Sequence, residues 1–272
     1  MVNDPSDITV LRLIAIMVAV LSLVVVLEAS LGHFRSGFPL RAQYAPLVVG
    51  VALSLAATAT ALVPTAGWAH DATRVAGAAA IVAGLVGVGY HHWFGIVEKA
   101  GGYRWLLHYL MYGAPQLAPL ALAMVGALAL ITAHELSDNG MLFGLETWRV
   151  LLTVVAVGLL GAIAQVGILH YRGAFNTPLM YVPLVIPPLA AVAAAWMAAV
   201  PGTAAEVGAR GALWLTLLTG FLGLGMHIRG LDRQMGGPHV FLFNLLQGPP
   251  PLAPAVFAGL AAVGLGSLEL AR

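Results

Sequence analysis

Four histidines stand at matching places in the chain, and they are the residues best suited to do chemistry: His33, His92, His170 and His227. Each falls where a long apolar run gives way to a polar break. Neutral imidazole binds haem iron axially, and it also binds zinc or copper. Arg35, Arg172 and Arg229 each follow a histidine by two residues. From there a guanidinium can reach a carboxylate such as a haem propionate. His92 departs from the pattern, because Trp93 and Phe94 follow it, and its neighbour His91 is an alternative ligand. Jointly, these residues point to b-type haem, with the four histidines on iron and the three arginines near the propionates. A plainer reading stands beside it. His and Arg at helix C-termini complement the negative end of the helix dipole and snorkel towards the interface.

Glu28 lies inside the apolar stretch from Val24 to Leu31, about one and a half helical turns before His33. Gln165 takes the corresponding place before His170. A carboxylate at such depth is costly unless protonated or paired, which makes Glu28 the candidate catalytic group, for proton exchange with a quinone or for orienting His33. A polar contact between helices is the structural alternative.

Other chemistries drop out. The chain has no Cys, which removes disulfides, thiolate metal sites, iron–sulfur ligation and covalent c-type haem. No phosphate-binding loop, zinc-hydrolase motif or Ser-His-Asp signature is visible, which argues against an ATP-driven pump or a common hydrolase. The formal net charge is +1, so nothing suggests nucleic acid as a partner.

The elements that must position these residues follow from composition. Of 272 residues 60% are hydrophobic and 8% charged, against about 25% charged in an ordinary soluble domain. Runs of roughly 20 apolar residues match the thickness of a bilayer's hydrocarbon. They predict helices near 9–32, 44–63, 73–92, 114–133, 148–170, 179–199, 211–227 and 250–270. The expected fold is an all-α integral membrane protein with about eight transmembrane helices, the first retained rather than cleaved because the run from Ile8 to Gly32 is too long for a signal-peptide core. An even count puts both termini on the face opposite the histidines.

An internal repeat organises these helices. His33-Phe34-Arg35 and Tyr44-Ala45-Pro46 match His170-Tyr171-Arg172 and Tyr181-Val182-Pro183 at an offset of 137. His92, Gly101-Gly102, Gly113 and Leu117-Ala118-Pro119 match His227, Gly236-Gly237, Gly248 and Leu252-Ala253-Pro254 at an offset of 135. Residues 1–140 and 141–272 thus read as two copies of a four-helix unit within one membrane domain. An even number of helices per copy predicts the same orientation for both, related by a pseudo-twofold axis along the membrane normal. Between the histidines and the proline motifs, Tyr103–Tyr112 and Pro238–Gln247 are too short to span and predict interfacial helices roofing the histidine-bearing face. The six Trp residues read as an aromatic belt.

Seven Lys and Arg on the histidine-bearing face against five opposite point to a cytoplasmic position for that face, in a bacterial cytoplasmic membrane. The functional expectation is a membrane-integral subunit of a respiratory oxidoreductase, carrying haem b, anchoring a redox partner and serving the quinone pool. Three alternatives remain open at this level: a cofactor-free membrane anchor, a small-anion transporter, and an intramembrane metalloenzyme.

Overall fold

In lipid a chain must satisfy its own backbone polar groups, and an apolar run without a partner strand does so as a helix. The computed structural model describes residues 5–137, 140–248 and 250–272. Its long helices are α1 (Pro5–Arg35), α2 (Ala45–Leu62), α3 (Gly67–His92), α5 (Ala118–Ser137), α6 (Thr147–Arg172), α7 (Val182–Ala199), α8 (Thr203–Asp232) and α10 (Ala253–Glu269). Two seven-residue helices, α4 (Leu106–Tyr112) and α9 (Phe241–Gln247), interrupt the series. They fall inside the segments expected to be interfacial, each preceded by a single 3₁₀ turn.

Among the described residues seven helical segments are long and apolar enough to cross a membrane. The remaining long helix, α10, is apolar but has 17 residues, a length of about 26 Å at 1.5 Å per residue. Its start at Ala253, rather than near 250, follows from Pro250 and Pro251. Only Pro254, in the first turn where no N–H is needed, enters the helix. Other helices outrun their apolar cores. α8 extends to both sides of the expected 211–227, and on the N-terminal side Glu206 and Arg210 pair one turn apart at 2.9 Å. A two-stranded hairpin, β1 (Met141–Leu142) with β2 (Leu145–Glu146), joins α5 to α6. The all-α expectation did not include it. Gly140 precedes it and Gly144 lies in its turn, with positive φ of 68° and 77°. Asp138, Asn139 and Pro249, which belong to two of the breaks read from the sequence, lie outside the described residues.

Helices α1, α5, α6 and α10 form the centre, each touching two of the others, while α2 and α3 flank one side and α7 and α8 the other. Leu11, Ile14, Val18 and Leu21 of α1 and Leu151, Leu152, Val155 and Leu159 of α6 belong to one buried cluster with residues of α5 and α10. Glycine allows close approach where α3 meets α5 and α8 meets α10. A Cβ at Gly84 would lie 2.7 Å from Ala123 N, and one at Gly220 would lie 2.6 Å from Ala258 N. The outward faces are apolar too: Leu55 on α2 and Val192 on α7 are each 68% exposed. Lipid is therefore the surrounding solvent. Five of the six Trp are exposed, and only Trp148 is buried, with Arg149 stacked over its ring at 5.1 Å.

Candidate functional site

The loops after α1 and α6 fold in the same way. Phe38 and Phe175 adopt left-handed φ of 48° and 46°, and their N–H groups return to His33 O at 3.2 Å and His170 O at 3.1 Å. A left-handed conformation costs a non-glycine residue about 1–2 kcal/mol. Aromatic stacking offsets it: Phe38 lies on Tyr44 at 4.6 Å between ring centroids, and Phe175 on Tyr181 at 4.5 Å. Each turn thereby sets a phenyl ring about a histidine, 6.0 Å from His33 and 6.3 Å from His170.

The histidines are gathered in pairs. His33 and His91 lie with ring centroids 6.2 Å apart and planes 79° apart. The corresponding pair in the second half is His170 and His227, with His227 near enough to His170 to act on it electrostatically. The pairing runs between α1 and α3 and between α6 and α8, a choice the sequence left open. Three of the four rings are anchored through Nδ1 to a backbone carbonyl: His91 to Pro115 O at 2.8 Å, His170 to Met180 O at 2.7 Å, and His227 to Pro250 O at 2.7 Å. A carbonyl only accepts, so each neutral ring carries its proton on Nδ1 and leaves the Nε2 lone pair free. His33 differs. Its Nδ1 accepts from Gln43 Nε2 at 3.1 Å, because Gln43 Oε1 is already engaged by Leu40 N–H at 3.1 Å.

His91, rather than His92, takes the place corresponding to His227. His92 instead bonds Tyr103 Oη through Nε2 at 2.6 Å. The physical reason is a π-helical turn at Trp93–Val97, where Glu98 N–H reaches back five residues to Trp93 O at 2.9 Å. Such a turn accommodates one additional residue within a helix. Contacts of α3 and α8 correspond at an offset of 136, as with Gly84 and Gly220, and those beyond the π turn at 135, as with Gly101 and Gly236, whose φ are 80° and 82°. Short blocks of matching letters cannot locate such a slip.

Arg35 and Arg172 go to helix ends. Arg35 donates to Leu246 O, to Leu245 O at 3.3 Å and to Gly248 O at 2.7 Å, which are carbonyls at the C-terminus of α9. Arg172 donates to Met111 O, to Leu110 O at 3.4 Å and to Gly113 O at 2.9 Å, at the C-terminus of α4. Each arginine caps the short helix of the other half of the chain. The last carbonyls of a helix have no internal partner and carry the negative end of its dipole, so a guanidinium fork suits them. On the opposite face Arg12 donates to Ala61 O at 2.9 Å and Arg149 to Ala198 O at 3.4 Å, capping α2 and α7 likewise. Arg229 is exposed, and its side chain makes no such contact among the described residues.

Glu28 sits two turns before Arg35 on α1. Its Oε1 accepts from Leu252 N–H at 2.5 Å, at the N-terminal end of α10. α1 thus holds both sides of the break between α9 and α10, an acceptor on the N–H side and a donor on the carbonyl side. Gln165, at the corresponding place on α6, lines a crevice of about 230 Å³ with Leu110, Pro115, Gln116, Leu117 and Ile168. The sequence carried one signal of these roles: Glu28 and Gln165 each precede their arginine by seven residues, which puts both on one helix face. It carried none for their destinations, which are more than 50 residues away.

Of the remaining histidines, His70 bonds Pro64 O at 2.9 Å, His134 bonds Met141 O at 2.9 Å, and His108 packs on Tyr112 at 5.2 Å. Among the described residues no group of three or more His, Asp or Glu side chains is placed to hold a metal ion. Compared with protein-family models, with curated proteins and with solved structures, the chain matches none.

Proposed function

We propose that the chain is a duplicated, eight-helix membrane subunit whose paired histidines hold b-type haem and carry electrons between a docked redox partner and the quinone pool. One observation carries this reading: the histidines come in pairs, and His91, His170 and His227 have Nδ1 fixed on a carbonyl and Nε2 free. Ligating histidines are oriented in this way by a bond from their other ring nitrogen. His33 and His91, with ring centroids 6.2 Å apart, are near enough that both would hold one haem group. His33 would ligate once the Gln43 amide turned and its oxygen accepted Nδ1–H. Bound haem would supply reversible one-electron transfer. Arg35 and Arg172 are engaged by helix ends and are not propionate partners in this reading, and Glu28 is a cap rather than a proton donor. Exposed Arg229 keeps its proposed place near a propionate.

The duplication is supported by recurring contacts at offsets of 137, 136 and 135 along the chain. In the same reading α10 is the eighth span, accommodated by slight bilayer thinning. Both termini lie on the face opposite the histidines, in a bacterial cytoplasmic membrane. The test is a reduced-minus-oxidised absorbance spectrum of protein purified from its native membrane. A haem signal lost in His91→Ala and His227→Ala, with both variants still inserted, supports the reading.

A second reading is favoured by a different observation. Glu28, Arg35 and Arg172 are all engaged in holding helix ends, as a cofactor-free anchor requires. It predicts no haem in any preparation and unchanged partner binding in the His91→Ala variant.

A further inference from the structure

The crevice beside Gln165 has the features of a ligand site that its counterpart lacks. It opens between α6 and the junction of α4 with α5, about one turn below the arginine cap on α4. Its walls are Leu110, Pro115, Leu117 and Ile168, with two amides, Gln116 and Gln165. Gln116 Nε2 is engaged by His91 O at 3.1 Å and Ala114 O at 3.0 Å, which leaves its oxygen as an acceptor. The Gln165 amide has no hydrogen-bond partner among the described residues. An unpaired amide at membrane depth is unfavourable, and a ligand that hydrogen-bonds it gains that energy.

The other half indicates what kind of group belongs there. At the corresponding joint the Glu28 carboxylate oxygen lies on Leu252 N–H at 2.5 Å. Leu117 N–H, its counterpart, has no acceptor among the described residues. At 165 the side chain is an uncharged amide that leaves Leu117 N–H unpaired among the described residues, beside a space of about 230 Å³. A dry cavity of about 150 Å³ is enough to hold benzene. No charged side chain lines the space, which disfavours an ion. An acceptor oxygen on a small ring, with an apolar tail leading to lipid, meets the Gln165 amide N–H, the Leu117 N–H and the apolar walls.

We infer that this crevice binds the carbonyl head of a lipid-soluble quinone, one per chain, through the Gln165 amide and Leu117 N–H. The inference deepens the electron-transfer reading by placing the quinone at Gln165 rather than at Glu28, but it does not require haem to be present. The test uses the full chain in phosphatidylcholine nanodiscs, titrated with a benzoquinone bearing a decyl tail and followed by tryptophan fluorescence quenching. Wild-type protein should bind saturably at one site per chain. Gln165→Leu should weaken binding about tenfold, the loss of one hydrogen bond in an apolar site. Gln165→Glu, which puts a carboxylate at the N-terminal end of α5 as Glu28 does at α10, should abolish it. If the buried acid prevents insertion, Ile168→Trp fills the same space without charge and should abolish binding too. Absence of saturable binding to wild type overturns the inference, since ester carbonyls of the lipid then occupy the crevice. So does wild-type affinity in Gln165→Glu or Ile168→Trp. A haem-free preparation that binds quinone would defeat only the haem reading, and a haem-containing one that does not would defeat only this inference.

Discussion

The joint between α9 and α10 and the joint between α4 and α5 are built alike on one side and differently on the other. In both, a long helix from the other half sends an arginine to the carbonyl end of the short helix. At the first of these joints Glu28 also takes the N–H end of the following helix, whereas at the second Gln165 leaves that end open. Apart from one bond from the following glycine N–H, the last carbonyls of both short helices have only the arginine as donor among the described residues, and an uncapped end is costly, so both arginines are needed. The N–H end tolerates either solution. The difference separates a part of the architecture that is fixed by physics from a part free to acquire chemistry.

The largest effect expected tests what the two joints share. A side chain at Gly84 or Gly220 meets backbone atoms of the facing helix, which cannot move aside as a side chain can. Gly84→Leu and Gly220→Leu should each lower stability by about 3 kcal/mol in detergent unfolding assays. A large difference between them would break the structural equivalence on which the comparison stands.

Next come the arginines. Arg172 is half-buried and Arg35 exposed. Arg172→Ala should lower stability by about 2 kcal/mol and Arg35→Ala by about 1 kcal/mol, since solvent replaces the donor more easily at the exposed site. Thermal melting in micelles reads both. If neither variant moves the midpoint, the caps contribute nothing and the arginines are again available for a cofactor.

Glu28→Gln should have the smallest effect, about 1 kcal/mol, because the amide oxygen still accepts from Leu252 N–H and only the charge at the helix N-terminus is lost. Amide hydrogen exchange should quicken at Leu252 in that variant and stay unchanged at Leu117. Equal exchange at both sites in wild-type protein would erase the contrast between the joints.

Much of this architecture is legible in the sequence. Lipid allows few local structures, so apolar runs separated by Gly and Pro locate the long helices, and the aromatic and proline motifs recur because the same turn is built twice. What escapes is non-local or depends on register. The π turn at Trp93–Val97 shifts the match from His92 to His91 without disturbing any flanking motif. The arginines look like propionate partners because their spacing from histidine is local, whereas their actual partners lie on α9 and α4 in the opposite half. The hairpin at Met141–Glu146 is set by four residues and two glycines, too little for any periodicity.

The histidine pairs remain the centre of the functional account, and a reduced-minus-oxidised spectrum tests them most directly. Protein purified with its native partners should show a low-spin b-type signal. It should be altered by His91→Ala and by His227→Ala, and should keep its shape in Arg35→Ala, whose side chain holds a helix end. Absence of the signal from wild-type protein, or its persistence without change in both histidine variants, would contradict the account and leave the chain a membrane anchor.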